Sequence, residues 1–411
     1  MLCESVLRLL AGLLIGIWVA RFLGPEKFGL FSYVLAFTSI FAGVAKLGLD
    51  GIVIKELVAH PDKEQQILGT SFWLKFAGAA LVYLILFAVV KATSDDPYTS
   101  HLIFITAAGL FFQSFEVIDF FFQSKVQARF VSICKIFQLS ISTILKIVLV
   151  INKADLFWFI VVTLADSISL AISLLVTYSL KEKKSFYRHF ETSMARILLK
   201  QSWPVIFAGL VVMIYMRVDQ IMIKEILGER EVGIYSAAVR LSEAWYFVPL
   251  LIAHSLFPAI LNARKVSLEL YYSRLQRLFT LMTWLSLSVA ILITIFSRSL
   301  ISVLYGEAFI EASYILNIHV WAGILVALGE ASNKWFVAEG HNLLSFWRTF
   351  WGMISNIVLN LFLIPSHGAA GAAIATLIAY SIAGLFFDLF SAKTRLLFRM
   401  KIASLDPRRL F

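Results

Sequence analysis

The run Ala77–Val90 contains no charged residue, no proline and no alternation of polar with apolar positions. Similar runs recur along the chain, and each extends to about 20 residues, the length at which an α-helix crosses the hydrocarbon of a bilayer. No other feature constrains the fold as strongly. In hydrocarbon every backbone N–H and C=O must find its partner inside the protein, so only helices and closed barrels span a membrane. A barrel strand alternates over about ten residues, and these runs do not. The expectation is an all-α, polytopic membrane protein. Composition agrees: of 411 residues 60% are apolar and 15% charged, against roughly 25% charged in soluble proteins. Soluble enzymes, disordered scaffolds and collagen-like chains are thereby excluded.

The apolar runs predict about twelve spans, near 5–22, 29–49, 69–91, 102–122, 131–151, 155–180, 204–224, 232–260, 278–297, 312–333, 343–364 and 369–390. The first span can itself start insertion, so no cleavable signal peptide is expected. An even count puts both termini on one side, and Lys and Arg in short loops set which side that is. One set of loops holds Lys55, Lys63, Lys125, Arg129, the group Lys181, Lys183, Lys184, Arg188, Arg196 and Lys200, then Arg264, Lys265, Arg274 and Arg277. The C-terminal tail adds Lys393, Arg395, Arg399, Lys401, Arg408 and Arg409. The opposite set holds Lys27, Lys91, Lys153, Arg230 and Arg298. Both termini are therefore expected in the cytoplasm. The net charge of +10 reads as this loop bias rather than as a nucleic-acid surface. Cys3 and Cys134 give neither a disulfide framework nor metal-ligand spacing.

The longest polar stretch, 181–203, is basic and lies near the middle of the chain. The expected organisation is a six-helix lobe over 1–180, a cytoplasmic linker over 181–203, a second six-helix lobe over 204–390 and a cytoplasmic tail over 391–411. An internal match supports duplication. Leu23-Gly24 is followed four residues later by Gly29-Leu30-Phe31-Ser32, and Leu227-Gly228 by Gly233-Ile234-Tyr235-Ser236, an offset of 204 residues. Six spans separate the copies, so they face the same side, as in parallel repeats of transporters. Gly24 and Gly29 suit a tight corner, and Pro25 ends or restarts a helix there.

Ionisable residues inside a bilayer are costly and usually face a protein interior or a wet cavity. At 100° per residue, Lys135, Gln138, Ser142 and Lys146 share a face of about 80°. Thr163, Asp166, Ser169, Ser173 and Thr177 share one of about 120°. Gln113, Glu116, Asp119 and Gln123 lie on one broad face. Arg217, Gln220 and Lys224 fall together with Asp219 opposite, Ser236, Arg240, Glu243 and His254 form a narrow stripe, and His319, Glu330, Asn333 and Lys334 form another. Each stripe has a structural reading too. Ser and Thr bond back to their own helix, Arg240 and Glu243 can neutralise each other, and Lys146, Lys224 and Lys334 can snorkel. Polar faces on six or more helices together point to a hydrated cavity. Its candidate substrate-binding residues are Arg8, Lys135, Lys146, Arg217, Arg240 and His319. Its candidate proton- or ion-coupling, or sugar-contacting, residues are Glu116, Asp119, Asp166, Asp219 and Glu243, and Asp50 and Lys75 are further candidates. Arg grips phosphate through a fork of donors and Lys as a point charge, so the cavity suits an anionic, sugar-bearing headgroup.

The segment Ala20-Arg21-Phe22-Leu23-Gly24-Pro25-Glu26-Lys27-Phe28-Gly29 resembles the first-loop signature of the polysaccharide repeat-unit (O-antigen) flippases. Arg217-x-Asp219, Gly228, Gly233-Ile234-Tyr235, Ala238, Arg240-Leu241, Leu304-Tyr305-Gly306, Ile364-Pro365 and Gly368-x-x-Gly371-Ala372-Ala373 resemble the same family. The resemblance implies membership of the multidrug/oligosaccharidyl-lipid/polysaccharide exporter superfamily, with two six-helix lobes forming a V and alternating access. It implies as substrate an oligosaccharide linked to undecaprenyl pyrophosphate, moved across the bacterial inner membrane for surface polysaccharide synthesis. It also places a basic residue where Arg8 stands. Polysaccharide polymerase and glycosyltransferases are the protein partners such a role implies, alongside membrane lipid.

Other readings stay open, among them a peptidoglycan-precursor flippase, although such chains usually have two further spans. A multidrug or cation exporter of the same superfamily would be expected to have a carboxylate-led cavity with few arginines. An integral-membrane enzyme of polysaccharide assembly would need a structured outer loop or a His/Asp cluster, and neither is visible. No phosphate loop of the Gly-x-x-x-x-Gly-Lys-Ser/Thr type is found, so ATP is not the direct driver, and no cofactor, metal, enzymatic activity or nucleic-acid partner is expected.

Overall fold

A computed structural model describes the backbone of residues 2–93, 96–182 and 185–410, and the side chains of 11–92, 96–182 and 185–408. Asp95, Lys183 and Lys184 lie outside the described residues, as do the side chains of Arg8 and Arg409. The described residues form helices and turns with no strand.

The helices in chain order are α1 (Leu2–Ala45), α2 (Asp50–Ala59), α3 (Glu64–Thr93), α4 (Pro97–Phe112), α5 (Val117–Ser124), α6 (Ala128–Ile151), α7 (Leu156–Glu182) and α8 (Thr192–Leu227). They continue as α9 (Glu229–Glu243), α10 (Phe247–Val266), α11 (Leu268–Leu304), α12 (Ala312–His319), α13 (Ala322–Ala338), α14 (Asn342–Ser381), α15 (Phe387–Phe390) and α16 (Arg395–Ala403). A π-helical turn, Ile382–Phe386, joins α14 to α15.

Ten helical stretches among the described residues are long and apolar enough to cross a membrane, and two of these, Ala11–Ala59 and Asn342–Phe390, are 49 residues long. A straight helix of that length would measure about 74 Å, more than twice the hydrocarbon thickness. Each breaks at a glycine outside helical space, Gly24 (φ 74°) in α1 and Gly368 (φ 64°) in α14. Pro25 and Pro365 stand beside the two breaks. Counting each long stretch as two spans gives the twelve expected from the sequence.

Three spans are interrupted part-way. A 3-10 turn, Gln113–Glu116, separates α4 from α5, residues 244–246 separate α9 from α10, and residues 320–321 separate α12 from α13. Non-helical backbone at membrane depth is tolerated where protein or a wet cavity surrounds it.

The chain divides into two compact units, residues 1–23 with 30–217, and residues 24–29 with 218–411. In the first, an aromatic core gathers Phe72, Phe121, Tyr178 and Phe186 at one end of the helices. Phe186 belongs to the short 3-10 turn Phe186–Arg188 that follows α7. Its neighbourhood is tied down by Trp73 Nε1 donating to the Tyr187 carbonyl (2.8 Å) and by the Glu191 N–H donating to Thr70 Oγ1 (3.0 Å). The middle basic stretch is thus docked on the first unit, and its later residues already form the opening turns of α8.

In the second unit, the core of Tyr271, Leu275, Phe279, Met282, Ala327, Ala331, Trp335, Leu397 and Met400 joins α11, α13 and α16. The tail folds back on α11: Gln276 Nε2 donates to the Met400 carbonyl (3.0 Å), and Thr283 and Ser404 share a hydrogen bond of 2.7 Å.

Candidate functional site: charges inside the spans

The repeated Leu-Gly motif comes first, because its two copies meet. Gly24 and Gly228 hold the same left-handed backbone (φ 74° and 94°), a region L side chains rarely enter. Five residues further on, a Cβ added to Gly29 would overlap the Glu229 carbonyl oxygen, and one added to Gly233 would overlap the Pro25 carbonyl oxygen. The contact is reciprocal: position 25 of one copy corresponds to 229 of the other, and 29 to 233. Phe28 then seats its ring edge-on to Phe309 (centroids 5.9 Å apart), with the Arg240 guanidinium 4.8 Å above it. Arg240 is thereby positioned by a cation–π contact.

In the first unit the intramembrane lysines are matched to carboxylates. Lys75 on α3, only 2% exposed, lies 3.1 Å from Glu116 Oε2, and its ammonium sits 5.0 Å from the Phe120 ring centroid. Lys135 on α6 reaches Asp119 Oδ2 at 2.8 Å, while Gln123 Nε2 donates to Asp119 Oδ1 at 2.7 Å. Lys146 donates to Ser142 Oγ (2.7 Å), Ser142 donates to Asp166 Oδ2 (2.9 Å), and Lys146 stands 3.5 Å from that same oxygen. Asp166 Oδ1 is buried with no hydrogen-bond partner. The stripes read from the sequence on α5, α6 and α7 therefore meet in the pairs Lys135–Asp119 and Lys146–Asp166, and Glu116, in the turn before α5, pairs with Lys75 of α3. Glu116 and Asp119 sit at the break between α4 and α5, where the helix has loosened.

The second unit has a different arrangement, built around Asp219. This carboxylate is 5% exposed. Oδ2 accepts from the Tyr235 hydroxyl and from Thr376 Oγ1, both at 2.6 Å, and Oδ1 accepts from Asn360 Nδ2 at 2.6 Å. Asn360 Nδ2 also donates to Asn356 Oδ1 (3.2 Å), and Asn356 Nδ2 to Thr376 Oγ1 (3.4 Å). The Asn360 side-chain oxygen is buried without a partner. The result is an acid with no lysine or arginine among these hydrogen-bond donors, held by two hydroxyls and one amide N–H, with the Asn360 oxygen unpartnered nearby. An oxygen-only set of this kind suits a proton or a hard cation better than a transition metal. Among the described residues no three His, Cys, Asp or Glu side chains converge as metal ligands.

His319, 3% exposed, closes α12 and shares a 2.8 Å hydrogen bond between Nδ1 and Ser242 Oγ. Its ring stands edge-on to Tyr235, so it adjoins the Asp219 cluster. Arg240 and Glu243 are half-buried near the end of α9, beside the break with α10. Arg217 is half-buried on α8, in the part of that helix assigned to the first unit. Arg8 lies outside the described side chains. Lys334 and Asn333 serve α13: the Lys334 ammonium is 5.6 Å from the Phe257 ring, and Asn333 Oδ1 accepts from Arg348 (2.8 Å).

Residues 18–314 match the family described as "Polysaccharide biosynthesis protein". The chain belongs to that family. Further similarities agree with it. A Shigella flexneri protein named as an O-antigen transporter is 22% identical over 379 residues, covering 87% of this chain and 88% of its own length. A Haloferax volcanii protein named as a low-salt glycan biosynthesis flippase is 25% identical over 169 residues, and the matched part spans 41% of this chain and 36% of that protein. Among solved structures, the lipid II flippase MurJ in its inward closed conformation superposes with a TM-score of 0.76 at 16% identity, covering 98% of this chain and 90% of that one. An inward-facing multidrug resistance transporter of the MATE family, in the MOP superfamily, gives 0.74 at 17% identity, covering 97% and 96%. At such identities these two structures establish the fold alone, and that fold is the one the first-loop signature implies. Within the polysaccharide biosynthesis family, the relatives carry the names of transporters and flippases rather than enzymes.

Sequence reasoning placed Asp219 but missed what surrounds it. Asn356 and Asn360, one helical turn apart in a span, were the available signal, because paired amides in hydrocarbon need partners. Tyr235 stands in the repeat signature, and the motif by itself does not reveal its bond to Asp219.

Proposed function

We propose that the protein is a flippase for polyprenyl-diphosphate-linked oligosaccharides, working by alternating access in the bacterial inner membrane, with both termini cytoplasmic. Its substrate is then the undecaprenyl-pyrophosphate-linked repeat unit of a surface polysaccharide. The observation that supports this most is the pairing of charges inside the spans at helix breaks. A chain gains nothing in stability from Lys75–Glu116, Lys135–Asp119 and Lys146–Asp166 that apolar side chains could not supply. Charges in hydrocarbon mark a path for a polar cargo.

In this reading a diphosphate exchanges for the carboxylates on Lys135 and Lys146, and Arg217, Arg240, His319 and Arg8 contribute further donors. Glu116, Asp119 and Asp166, released from their pairs, and Glu243 accept sugar hydroxyls or protons. Asp219, held by neutral donors, carries the coupling proton or cation. The polyprenyl tail stays in lipid, so only the headgroup crosses a polar path. Polymerase and glycosyltransferases would act before and after this step.

The test is deletion of the gene followed by analysis of surface polysaccharide and lipid-linked intermediates. Repeat units accumulating on the cytoplasmic face, with rescue by the wild-type chain and poor rescue by Arg217→Ala and Arg240→Ala proteins that still insert, is the expected result. Normal polysaccharide with altered drug tolerance would instead support a drug exporter.

A further inference from the structure

A cleft lies between the end of α10 and the start of α11, and none of the lysine–carboxylate pairs or the Asp219 cluster lines it. It holds about 300 Å³ and is lined by Leu256, Ala259, Ile260, Arg274, Arg277, Leu278 and Leu281. Its walls are aliphatic and its rim is cationic. Arg274 and Arg277, one turn apart on α11, are both exposed, and Arg274 Nη1 donates to the Ala259 carbonyl at 2.7 Å. That contact fixes the guanidinium over the cleft and engages one of its five N–H donors. A second cleft on the same stretch of α10 adds Lys265 and Arg264. Arg264 is committed to the Ala338 carbonyl (2.6 Å) and to Glu339 (3.0 Å). Glu339 is engaged by Arg264, and Glu269 is exposed in the first turn of α11.

Depth along the membrane normal identifies the environment. After Arg277 the next charged residue on α11 is Arg298, and the stretch 278–297 between them measures about 30 Å, the thickness of the hydrocarbon. Arg274 and Arg277 therefore stand at headgroup level, with Leu278 and Leu281 beginning the acyl region. This is the membrane end at which the tail helix α16 packs, since Gln276 bonds to Met400.

We infer that this cleft binds an anionic glycerophospholipid, its phosphate on Arg274 and Arg277 and its acyl chains along Leu256, Ile260, Leu278 and Leu281. Basic pockets between spanning helices bind such headgroups where the leaflet is anionic. The cleft's arginines point to charge rather than to sugar. A bound phospholipid clamps α10 to α11 from outside. The inference does not depend on the transported substrate.

The experiment uses the full-length protein in nanodiscs of neutral phosphatidylcholine, with dioleoylphosphatidylglycerol as the probe and binding read by native mass spectrometry. The Arg274→Gln/Arg277→Gln double variant is expected to bind phosphatidylglycerol roughly 30-fold more weakly than wild type, the weight of two arginines near an anionic surface. Ala259→Leu fills the cleft without changing charge and is expected to weaken binding several-fold. Arg399→Gln, an exposed cation on α16, is expected to leave it unchanged. Should the double variant fail to fold, Arg277→Gln with Ala259→Leu carries the same comparison. The inference is overturned if Arg399→Gln costs as much as the cleft arginines or if Ala259→Leu binds as wild type does. Displacement of the probe by a polyprenyl diphosphate at equal concentration would overturn it too, by making the cleft part of the transport path. No transport is measured, so failure here leaves the flippase proposal standing.

Discussion

At the scale of single residues, Asp219 and the lysine–carboxylate pairs call for different tests. Asp219 accepts from neutral donors alone among its hydrogen bonds, so removing its charge keeps the packing and deletes the proposed coupling group. Asp219→Asn is expected to insert and fold but to lose ion-driven flipping at least tenfold, measured as lipid-linked oligosaccharide translocation in proteoliposomes under an imposed gradient. Unchanged gradient dependence would remove Asp219 from the mechanism. Asp119 is held by Lys135, and both side chains are mostly buried (10% and 24% exposed). Lys135→Ala strands a carboxylate and should cost about 1–3 kcal/mol, below the figure for a fully buried pair because some water reaches it. Adding Asp119→Asn should restore most of that stability, as followed by thermal unfolding in detergent, while leaving transport impaired. Residue identities of this kind were legible in the sequence because charges in apolar runs stand out. Their partners were not. The hydroxyls and amide that hold Asp219 come from positions 16, 141 and 157 residues away, and helical periodicity relates residues only within one helix.

The elements show where local rules suffice and where they do not. The breaks at Gly24 and Gly368 are written in the sequence, because each glycine stands near a proline inside an apolar run. The turn at Gln113–Glu116 contains neither glycine nor proline, so the sequence predicts continuous helix there; its irregular backbone is permitted by the surrounding packing. The reciprocal contact of the two Leu-Gly copies yields a direct prediction. Gly29→Ala and Gly233→Ala each push a methyl into a carbonyl of the other copy, so each should destabilise the protein by about 1–3 kcal/mol. Lowered thermal stability in detergent checks this, and wild-type stability in both variants would contradict the close approach. The tail helix offers another. Lys401 is fully buried, 2.6 Å from Asp388 and 2.6 Å from the Gly384 carbonyl in the π-helical turn. Burial pulls its pKa down to about 8 from 10.5, against the opposing pull of Asp388. Between those values the unfolded chain binds the extra proton and the folded chain does not, so this site makes the fold more stable as pH rises from about 8 towards 10.5. Lys401→Met should abolish that rise. It should also lower stability at pH 7 by about 3–5 kcal/mol by leaving Asp388 alone, and Lys401→Met/Asp388→Leu should recover most of the loss.

For the whole molecule the decisive quantity is how charge moves across the membrane. In the proposed mechanism the loop bias behind the net charge of +10 orients the chain and takes no part in transport, whereas the charges inside the spans do; in the first unit three lysines are matched to three carboxylates. A diphosphate headgroup brings about two negative charges into that balanced path. If the headgroup crosses with no compensating ion, a potential of 100 mV, negative on the side it leaves, favours its exit by roughly 2.3 kcal/mol per charge, or about 4.6 kcal/mol. That energy shifts the distribution of substrate across the bilayer by roughly two-thousandfold. Wild-type protein in proteoliposomes should therefore accumulate lipid-linked oligosaccharide on the positive side when a potassium diffusion potential is imposed. If Asp219 instead carries a cation with the headgroup at each turnover, one charge is cancelled and the potential's share falls to about 2.3 kcal/mol, close to fiftyfold. Asp219→Asn would then raise the voltage dependence of whatever transport remains. Measuring the accumulation ratio at 0 and 100 mV in both proteins separates the two cases. A ratio unaffected by voltage in wild type and variant alike would mean that no net charge crosses, and the diphosphate-carrying mechanism would fall with it.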